Sequence, residues 1–429
     1  EYFRKILNGP KYVRIARHLD SDTADALRKA NLKGVNISHE PLRYYPNNSA
    51  AAQLIGFCDP DGVGLEGLEK QFDRYLAGES GYSVLVQDAL NKPISTCEDA
   101  HVEPRPGYDV TLSIDVWIQS ILEDEIRRQC EKYPPNGAVG VVLDAKSGDV
   151  LAMSSWPTFD PNKHTLYPTE SYRNRVITDV YEPGSMAKAF TAAAALEYGI
   201  MNPNTIIDCE GGRYYLHGRT VRDAGSHGYN DITLTKVIAK SSNIGAAKIG
   251  EAVGKERLYD TLCAFGLKNR SGIGLWGEEY PWLYPPSRWS KKSVASISFG
   301  YELCVTPISL ARAYAAIARD GVLPDVSVVK GIYSPNGGRL GVDIGSRGKR
   351  KRAISEATSA KLRKILRQVV VDGTCRVANI PEYKIAGKTG TALKVKNGKY
   401  VWDKTLSSFI GFAPLEDPRI VVLVSLDEP

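Results

Sequence analysis

No apolar stretch in the sequence approaches the roughly 18 residues that mark a membrane-spanning helix. Its best runs, Ile420 to Leu426 and Ala138 to Leu143, are strand-sized. A surplus of one charge is also missing. The 55 Lys and Arg against 49 Asp and Glu leave +6 over 429 residues, with both signs interspersed, which excludes the basic stripe of a nucleic-acid binder. The one dense run, Lys349-Arg350-Lys351-Arg352, reads as a solvated loop. Histidines number only six, and the seven cysteines include no Cys-x-x-Cys pair and no zinc-ligand spacing with them. A metal site is therefore not expected, and no other cofactor is expected. An odd cysteine count leaves at least one thiol unpaired, and these residues read as small buried apolar side chains.

What is present is the composition of an ordinary globular protein, 43% hydrophobic and 24% charged, which excludes disordered, collagen-like and disulfide-scaffold chains. At about 150 residues per domain, the length gives two or three domains. From Lys11 to Leu27 the apolar positions Val13, Ala16, Leu19, Ala24 and Leu27 recur at helical spacing. Short mixed elements follow, through Arg43-Tyr44-Tyr45-Pro46, a Gly-rich stretch at Gly62 to Glu69, and alternating residues around Tyr82 to Val86. They suggest a small α+β unit. Glu103-Pro104-Arg105-Pro106-Gly107 then interrupts the chain before a strand at Val110 to Ile114, so the boundary is placed between a first domain of residues 1–106 and a second of 107–429. The chain starts at Glu1 and stops at Pro429 just after an apolar run. Both ends are expected to be cut, with a leader or anchor outside the sequence.

In the second domain a helix is expected after Asp115 to about Lys132. Ala138 to Leu143 and Val150 to Met153 flank a Gly-containing turn and read as a hairpin. Helical patterns occupy 185–198, 232–251, 255–265, 306–319 and 355–371. Strands return at Tyr383 to Ala386, Thr391 to Val395, Lys399 to Trp402, Ser408 to Ala413 and Arg419 to Ser425, with a hairpin signal at Asn397-Gly398. This order predicts an α/β (α+β) fold in which an antiparallel sheet is built from both ends of the domain around an inserted helical block.

The chemistry concentrates in three places. Pro183-Gly184 breaks the chain before Ser185-Met186-Ala187-Lys188 and an Ala-rich helix, which puts Ser185 at a helix N-terminus and Lys188 on the same face. A serine alcohol needs a neighbouring base, and a lysine can be that base only if its pKa falls from ~10.4 toward ~7–8. Ser241-Ser242-Asn243 lies at the start or in the middle of an otherwise apolar helical run, where small polar residues are poor choices unless they face a site. Lys388-Thr389-Gly390-Thr391 opens a strand. A strand glycine marks close approach by another backbone, here read as an extended substrate along the edge. His227 in Gly225-Ser226-His227-Gly228 lacks a Gly-x-Ser-x-Gly partner and reads as a loop residue.

Ser-x-x-Lys, Ser-x-Asn and Lys-Thr-Gly in that order form the acyl-transferase signature of penicillin-binding proteins and serine β-lactamases. Further segments resemble class B penicillin-binding proteins, most of all the septal, cell-division branch. These include Arg43 to Pro46, Leu54-Ile55-Gly56-Phe57, Gly64 to Glu69, Arg173-Asn174-Arg175, Thr178 to Ser185, Ser298-Phe299-Gly300-Tyr301 and Val305-Thr306-Pro307. The likeness spans nearly the whole chain. It implies a non-catalytic, dimerisation-like pedestal followed by a transpeptidase domain with a central antiparallel sheet flanked by helices. The implied activity is that of a peptidoglycan D,D-transpeptidase, cross-linking stem peptides and acylated by β-lactams.

The resemblance makes Ser185 the nucleophile, Lys188 the base and Ser241 a proton shuttle to the leaving amine. Asn243 would bind the donor peptide's backbone. Lys388 would supply positive charge, Thr389 and Thr391 would hold the terminal carboxylate beside Gly390, and the backbone N–H groups of Ser185 and Thr391 would form the oxyanion hole. The implied partners are D-Ala-D-Ala stem peptides, β-lactams, a membrane peptidoglycan polymerase and other division proteins, with no nucleic acid. The implied location is the outer side of the cytoplasmic membrane, on a single-pass anchor. Glu302 and Cys304 depart from the family's small or apolar residues, and the family usually continues past the last strand into a covering helix, so exposed apolar surface is expected. The rival readings are a serine β-lactamase, carboxypeptidase or penicillin sensor, for which no Glu-x-x-x-Asn element is found, and a catalytically silent scaffold.

Overall fold

The computed structural model describes residues 13–87, 93–224, 228–341, 351–396 and 399–429. The N-terminal part holds helix α1 (Ser21–Ala30), three short helical turns and the antiparallel pair β1 (Tyr82–Gln87) and β2 (Pro93–Val102). Helix α1 is shorter than the apolar spacing from Lys11 suggests. Asp20 caps it, accepting from Thr23 N at 2.8 Å, and His18 breaks the preceding chain with φ 53°. A capping carboxylate fixes where a helix starts more firmly than weak amphipathic spacing does. The non-helical segment before it is tied down by Arg17, which donates to Glu40 and Asp61 at 2.8 Å each.

Buried Gln53 fastens this part to the rest. Its amide donates to the carbonyls of Ser155, Pro157 and Ser171 at 3.2, 3.0 and 3.0 Å. Beyond the Pro-rich segment, β3 (Asp109–Leu112) precedes helix α2 (Val116–Lys132), which Asp115 caps as its sequence position suggests. Strands β4 (Gly137–Asp144) and β5 (Val150–Trp156) then form the expected hairpin.

The helical block begins with α3 (Lys188–Glu197), whose alanines are buried on all sides, as a helix apolar all round must be. A small hairpin of β6 (Arg213–Leu216) and β7 (Arg219–Arg222) leads to α4 (Leu234–Lys240), α5 (Asn243–Val253) and α6 (Lys255–Ala264). The run expected as one helix over 232–251 is two, because Ser241 is left-handed at φ 62°. Helix α7 (Pro307–Ala318) is almost entirely buried, β8 (Val329–Tyr333) pairs with β3, and α8 (Glu356–Val371) completes the block.

The chain ends in β9 (Ala386–Lys396), β10 (Lys399–Ala413) and β11 (Ile420–Asp427). Four of the expected short strands are thus two long ones. The hairpin residues Asn397-Gly398 lie outside the described residues, as do His227 and Lys349-Arg350. Lys351-Arg352 are exposed and pair with Val322–Leu323 rather than forming a loop.

The sheet order is β9-β10-β11-β4-β5, all antiparallel, with Val424 opposite Gly140 where the two ends of the domain meet. Val141, Leu143, Val421, Leu423, Ile410 and Phe412 point into the core shared with α3 and α7. The opposite face carries Leu122, Ile126 and Cys130 of α2 over Ala138, Val142 and Ala152, with Ile420, Val422, Val424 and Leu426 only partly covered. Trp117 and Ile121 of α2 are 81% and 64% exposed. Among the described residues no helix is long and apolar enough to cross a membrane. Described cysteines 58, 130, 209, 263, 304 and 375 are free thiols, and 130, 209 and 375 are buried.

Candidate active site

The site starts from a turn that only glycine permits. Gly184 adopts φ 53° and Gly300 φ 94°, and a Cβ on Gly300 would overlap the Gly184 carbonyl. The two backbones also bond, Gly184 N donating to Gly300 O at 3.1 Å. Residues Gly184–Ala187 form a 3₁₀ turn that runs directly into α3, and Tyr314 OH donates to Met186 O at 2.8 Å from the core side. Ser185 is left half-exposed while Lys188, one turn on, is fully buried. The Lys188 amine lies 3.0 Å from Ser185 Oγ.

The break between α4 and α5 brings up the second group. Left-handed Ser241 aims both its carbonyl and its hydroxyl at the amine, with Lys188 Nζ 2.6 Å from Ser241 O and 3.1 Å from Ser241 Oγ. Ser241 Oγ is 3.0 Å from Ser185 Oγ. Asn243 Oδ1 accepts from Lys188 Nζ at 2.7 Å, and Asn243 Nδ2 donates to Arg222 O at 2.9 Å, which fixes the orientation of the amide.

The third group lies on β9, the end strand of the sheet. Lys388 is fully buried, its Nζ donating to Ser241 Oγ at 3.0 Å and to Thr389 O at 3.2 Å. Gly390 does mark a close approach, but of a different neighbour from the expected substrate. A Cβ there would stand 3.0 Å from Met186 and from Pro183 O, so the glycine seats β9 against the Ser185 turn. Thr391 faces out, and its carbonyl comes within 3.0 Å of where a Gly184 Cβ would be. Thr389 Oγ1 bonds Thr374 Oγ1 at 2.8 Å.

Burial governs the charges. It pushes the Lys188 amine well below the ordinary lysine range, and Lys388 pushes it further while Asp223 opposes the shift. Burial also brings Lys388 down to about 7. A neutral Lys188 amine has two N–H donors and one lone pair. Its acceptor-only partners, Ser241 O and Asn243 Oδ1, use the two N–H groups. The lone pair is then left for a serine hydroxyl proton, which is the arrangement a general base requires.

A family model described as the penicillin binding protein transpeptidase domain matches residues 138–429, and one described as the penicillin-binding protein dimerisation domain matches residues 1–112. The chain belongs to the class B penicillin-binding proteins. The probable peptidoglycan D,D-transpeptidase PenA of Neisseria meningitidis is 34% identical over 423 residues, 98% of this chain and 70% of its own. The peptidoglycan D,D-transpeptidase FtsI of Escherichia coli is 34% identical over 422 residues, 98% of this chain and 68% of its own. Penicillin binding protein 3 of Mycobacterium tuberculosis, solved with aztreonam, superposes with a TM-score of 0.81 at 34% identity, covering 90% of this chain and 84% of that one.

In this penicillin-binding protein the polar side chains of Ser185, Lys188, Ser241, Asn243 and Lys388 form one hydrogen-bonded cluster, and Thr389, Gly390 and Thr391 continue along the strand beside it. Two contributors were not legible as site residues. Asp223 accepts from Asn243 N and Ile244 N at 2.6 and 3.1 Å. Glu182, three residues before Ser185, accepts from Glu302 N at 2.8 Å and Tyr400 OH at 3.1 Å. Its carboxyl is raised by burial. The unusual Glu302 thus has a defined place, its carboxylate also accepting from Ser293 Oγ at 2.6 Å. Cys304 pairs its backbone with Trp282, and burial pushes its thiol up to about 12.

Proposed function

We propose that Ser185 is the acylated nucleophile and Lys188 its base in a peptidoglycan D,D-transpeptidase. The carrying observation is the fully buried Lys188 amine, 3.0 Å from Ser185 Oγ, with its other partners placed to absorb its N–H groups. Ser185 Oγ attacks the carbonyl of the penultimate D-Ala and gives its proton to Lys188. That proton passes through Ser241 to the nitrogen of the terminal D-Ala as the C–N bond breaks. The acyl-serine is then attacked by the amine of a second stem peptide. A new amide forms, and the amine's proton returns to Ser185.

Asn243 holds the donor backbone. Lys388, Thr389 and Thr391 hold the terminal carboxylate beside Gly390, and a bound anion stabilises the ammonium form of Lys388. The N–H groups of Ser185 and Thr391 receive the oxyanion, a kind of donor whose loss costs about 10²–10³ in rate. The contact of the Gly184 turn with the Thr391 backbone supports that pairing. β-Lactams enter the same chemistry but leave no departing amine to clear the site.

Residues 1–106 are the pedestal and 107–429 the transpeptidase domain; the pairing of β3 with β8 supports placing the boundary before β3. The reading extends to septal wall synthesis on the outer side of the cytoplasmic membrane, on a single-pass anchor, beside a membrane peptidoglycan polymerase and division proteins. Its support is the extracytoplasmic substrate and the likeness to FtsI. The test is incubation with a D-Ala-D-Ala stem peptide and an amine acceptor. Release of D-Ala with a new cross-link is expected. Hydrolysis alone would point to a carboxypeptidase, and rapid turnover of penicillin to a β-lactamase.

A further inference from the structure

We propose that Asp223 is a positioning residue of this site: its carboxylate, with the neighbouring Arg222 carbonyl, clamps Ser241-Ser242-Asn243 in the conformation that presents partners to Lys188. The proposal rests on the transpeptidase reading and deepens it.

Asp223 follows the last residue of β7 and meets the first turn of α5 end-on. Its Oδ1 accepts from Asn243 N at 2.6 Å and Ile244 N at 3.1 Å, two amides that a helix start leaves without intrahelical partners. Ser242 Oγ accepts from Gly245 N at 2.9 Å and donates to both carboxylate oxygens of Asp223, at 3.0 and 2.9 Å. One carboxylate and one hydroxyl therefore satisfy three successive N–H groups. Next to it, Arg222 O accepts from Asn243 Nδ2 at 2.9 Å.

What this clamp holds is not a relaxed chain. Ser241 sits at φ 62° and ψ 36°, a left-handed conformation that a residue with a Cβ adopts only when its surroundings hold it. That same conformation aims Ser241 O and Oγ at Lys188. Without the carboxylate, the orphan amides are left to water. The strain at Ser241 is then free to relax, and two acceptors of Lys188 move away from it.

Asp223 also brings a negative charge to a site dominated by cations. Among the described residues, the charged groups that act on Lys188 are Lys388, from β9, and Asp223. Behind Ser242, the Cys209 thiol feels Asp223 together with Lys248 and Asp208. The Asp223 charge favours the ammonium form of Lys188, so removing it shifts the base toward the neutral amine at lower pH.

The test compares the full chain with its Asp223→Ala and Asp223→Asn variants, using benzylpenicillin as the probe. It follows the saturated acylation rate, the half-saturating concentration and the melting midpoint from about pH 5.5 to pH 9. Asp223→Ala is expected to lower the saturated rate ~10²-fold, the scale of a misplaced catalytic group. Asp223→Asn keeps an oxygen for the two amides. It is expected to recover part of that rate and to melt near the wild type, with the acid limb of its pH profile moved to lower pH. A wild-type rate in Asp223→Ala would overturn the proposal. So would losses in both variants that only follow the unfolded fraction, with the pH profile unmoved. If the wild type itself gives no adduct at Ser185, the transpeptidase reading falls and takes the proposal with it. An adduct in the wild type that Asp223→Ala forms equally fast removes the proposal alone.

Discussion

Lys188 and Lys388 converge on one hydroxyl, their amines 3.1 and 3.0 Å from Ser241 Oγ. Both are fully buried. Two ammonium groups this close in a low-dielectric site repel strongly, so their protons come off as a coupled pair. Burial lowers both, and the charge of Lys388 adds to the fall at Lys188. Burial and repulsion thus favour the neutral Lys188 that the proposed base role requires, while an arriving substrate carboxylate would favour the ammonium form of Lys388.

Ser241→Gly isolates the shared hydroxyl. Glycine adopts the left-handed conformation at position 241 without strain, so the variant should be as stable as the wild type to within about 1 kcal/mol. Acylation by penicillin should fall ~10²-fold, since the relay loses the group that links the two lysines. Stopped-flow acylation and thermal melting read the two effects separately. An unimpaired rate would exclude Ser241 from proton transfer.

Lys388→Met tests the charge state of the buried lysine. Burial pushes the folded-state Lys388 amine from 10.5 down to about 7. Between those values the unfolded chain holds a proton that the folded chain has lost, so the stability of the wild type rises with pH through this window. Its excess over Lys388→Met should grow by about 1.4 kcal/mol per pH unit above pH 7 and stay flat below it. Denaturation at several pH values measures this. A gap that does not change with pH would show Lys388 to be charged when folded.

The three motifs were legible because each is contiguous and each lies at an element boundary. Ser185 and Lys188 needed only helical spacing, and Lys388 to Thr391 needed only a strand. Ser241 was harder, because the apolar residues on both sides of it continue the helical pattern and the left-handed break is imposed by tertiary contacts. At Gly390 the sequence shows that a strand glycine lies close to another group without showing which, and that neighbour is the Met186 and Pro183 side of the Ser185 turn. Asp223 stands 20 residues from Asn243, in a segment whose approach to α5 is fixed by the β6–β7 hairpin, and no local pattern encodes it. At the N-terminus, spacing from Val13 to Leu27 suggested a helix whose first half is replaced by the Arg17 ion pairs and the Asp20 cap. The antiparallel sheet was visible in order, but the joins within β9 and β10 were not.

Gly300→Ala and Gly390→Ala should differ in a way that reveals which contact shapes the nucleophile turn. At Gly300 the new Cβ meets the Gly184 backbone in a left-handed residue, and neither side can give. A loss of about 1–3 kcal/mol or more is expected, with acylation largely abolished. At Gly390 the flexible Met186 yields in part, so about 1 kcal/mol and a smaller loss of acylation are expected. Melting midpoints and acylation rates check the order, and the reverse ranking would contradict the described packing.

Gln53→Ala addresses how the N-terminal part is held. Three buried or part-buried carbonyls, of Ser155, Pro157 and Ser171, lose their shared donor. The cost should be about 1–3 kcal/mol. Acylation should be unchanged, because Gln53 bonds no residue of the site. A drop in melting temperature with a normal penicillin adduct is the expected pair of results, and an unchanged midpoint would show that this fastening contributes nothing.

Peptide mapping by mass spectrometry after incubation with a β-lactam bears most directly on the central claim that Ser185 is the nucleophile activated by Lys188. One long-lived adduct per chain is expected, on the peptide carrying Ser185. It should be absent from Ser185→Ala and absent from a folded Lys188→Ala. A stoichiometric adduct on Ser185→Ala, an adduct on another residue, or normal acylation of Lys188→Ala near neutral pH would contradict it.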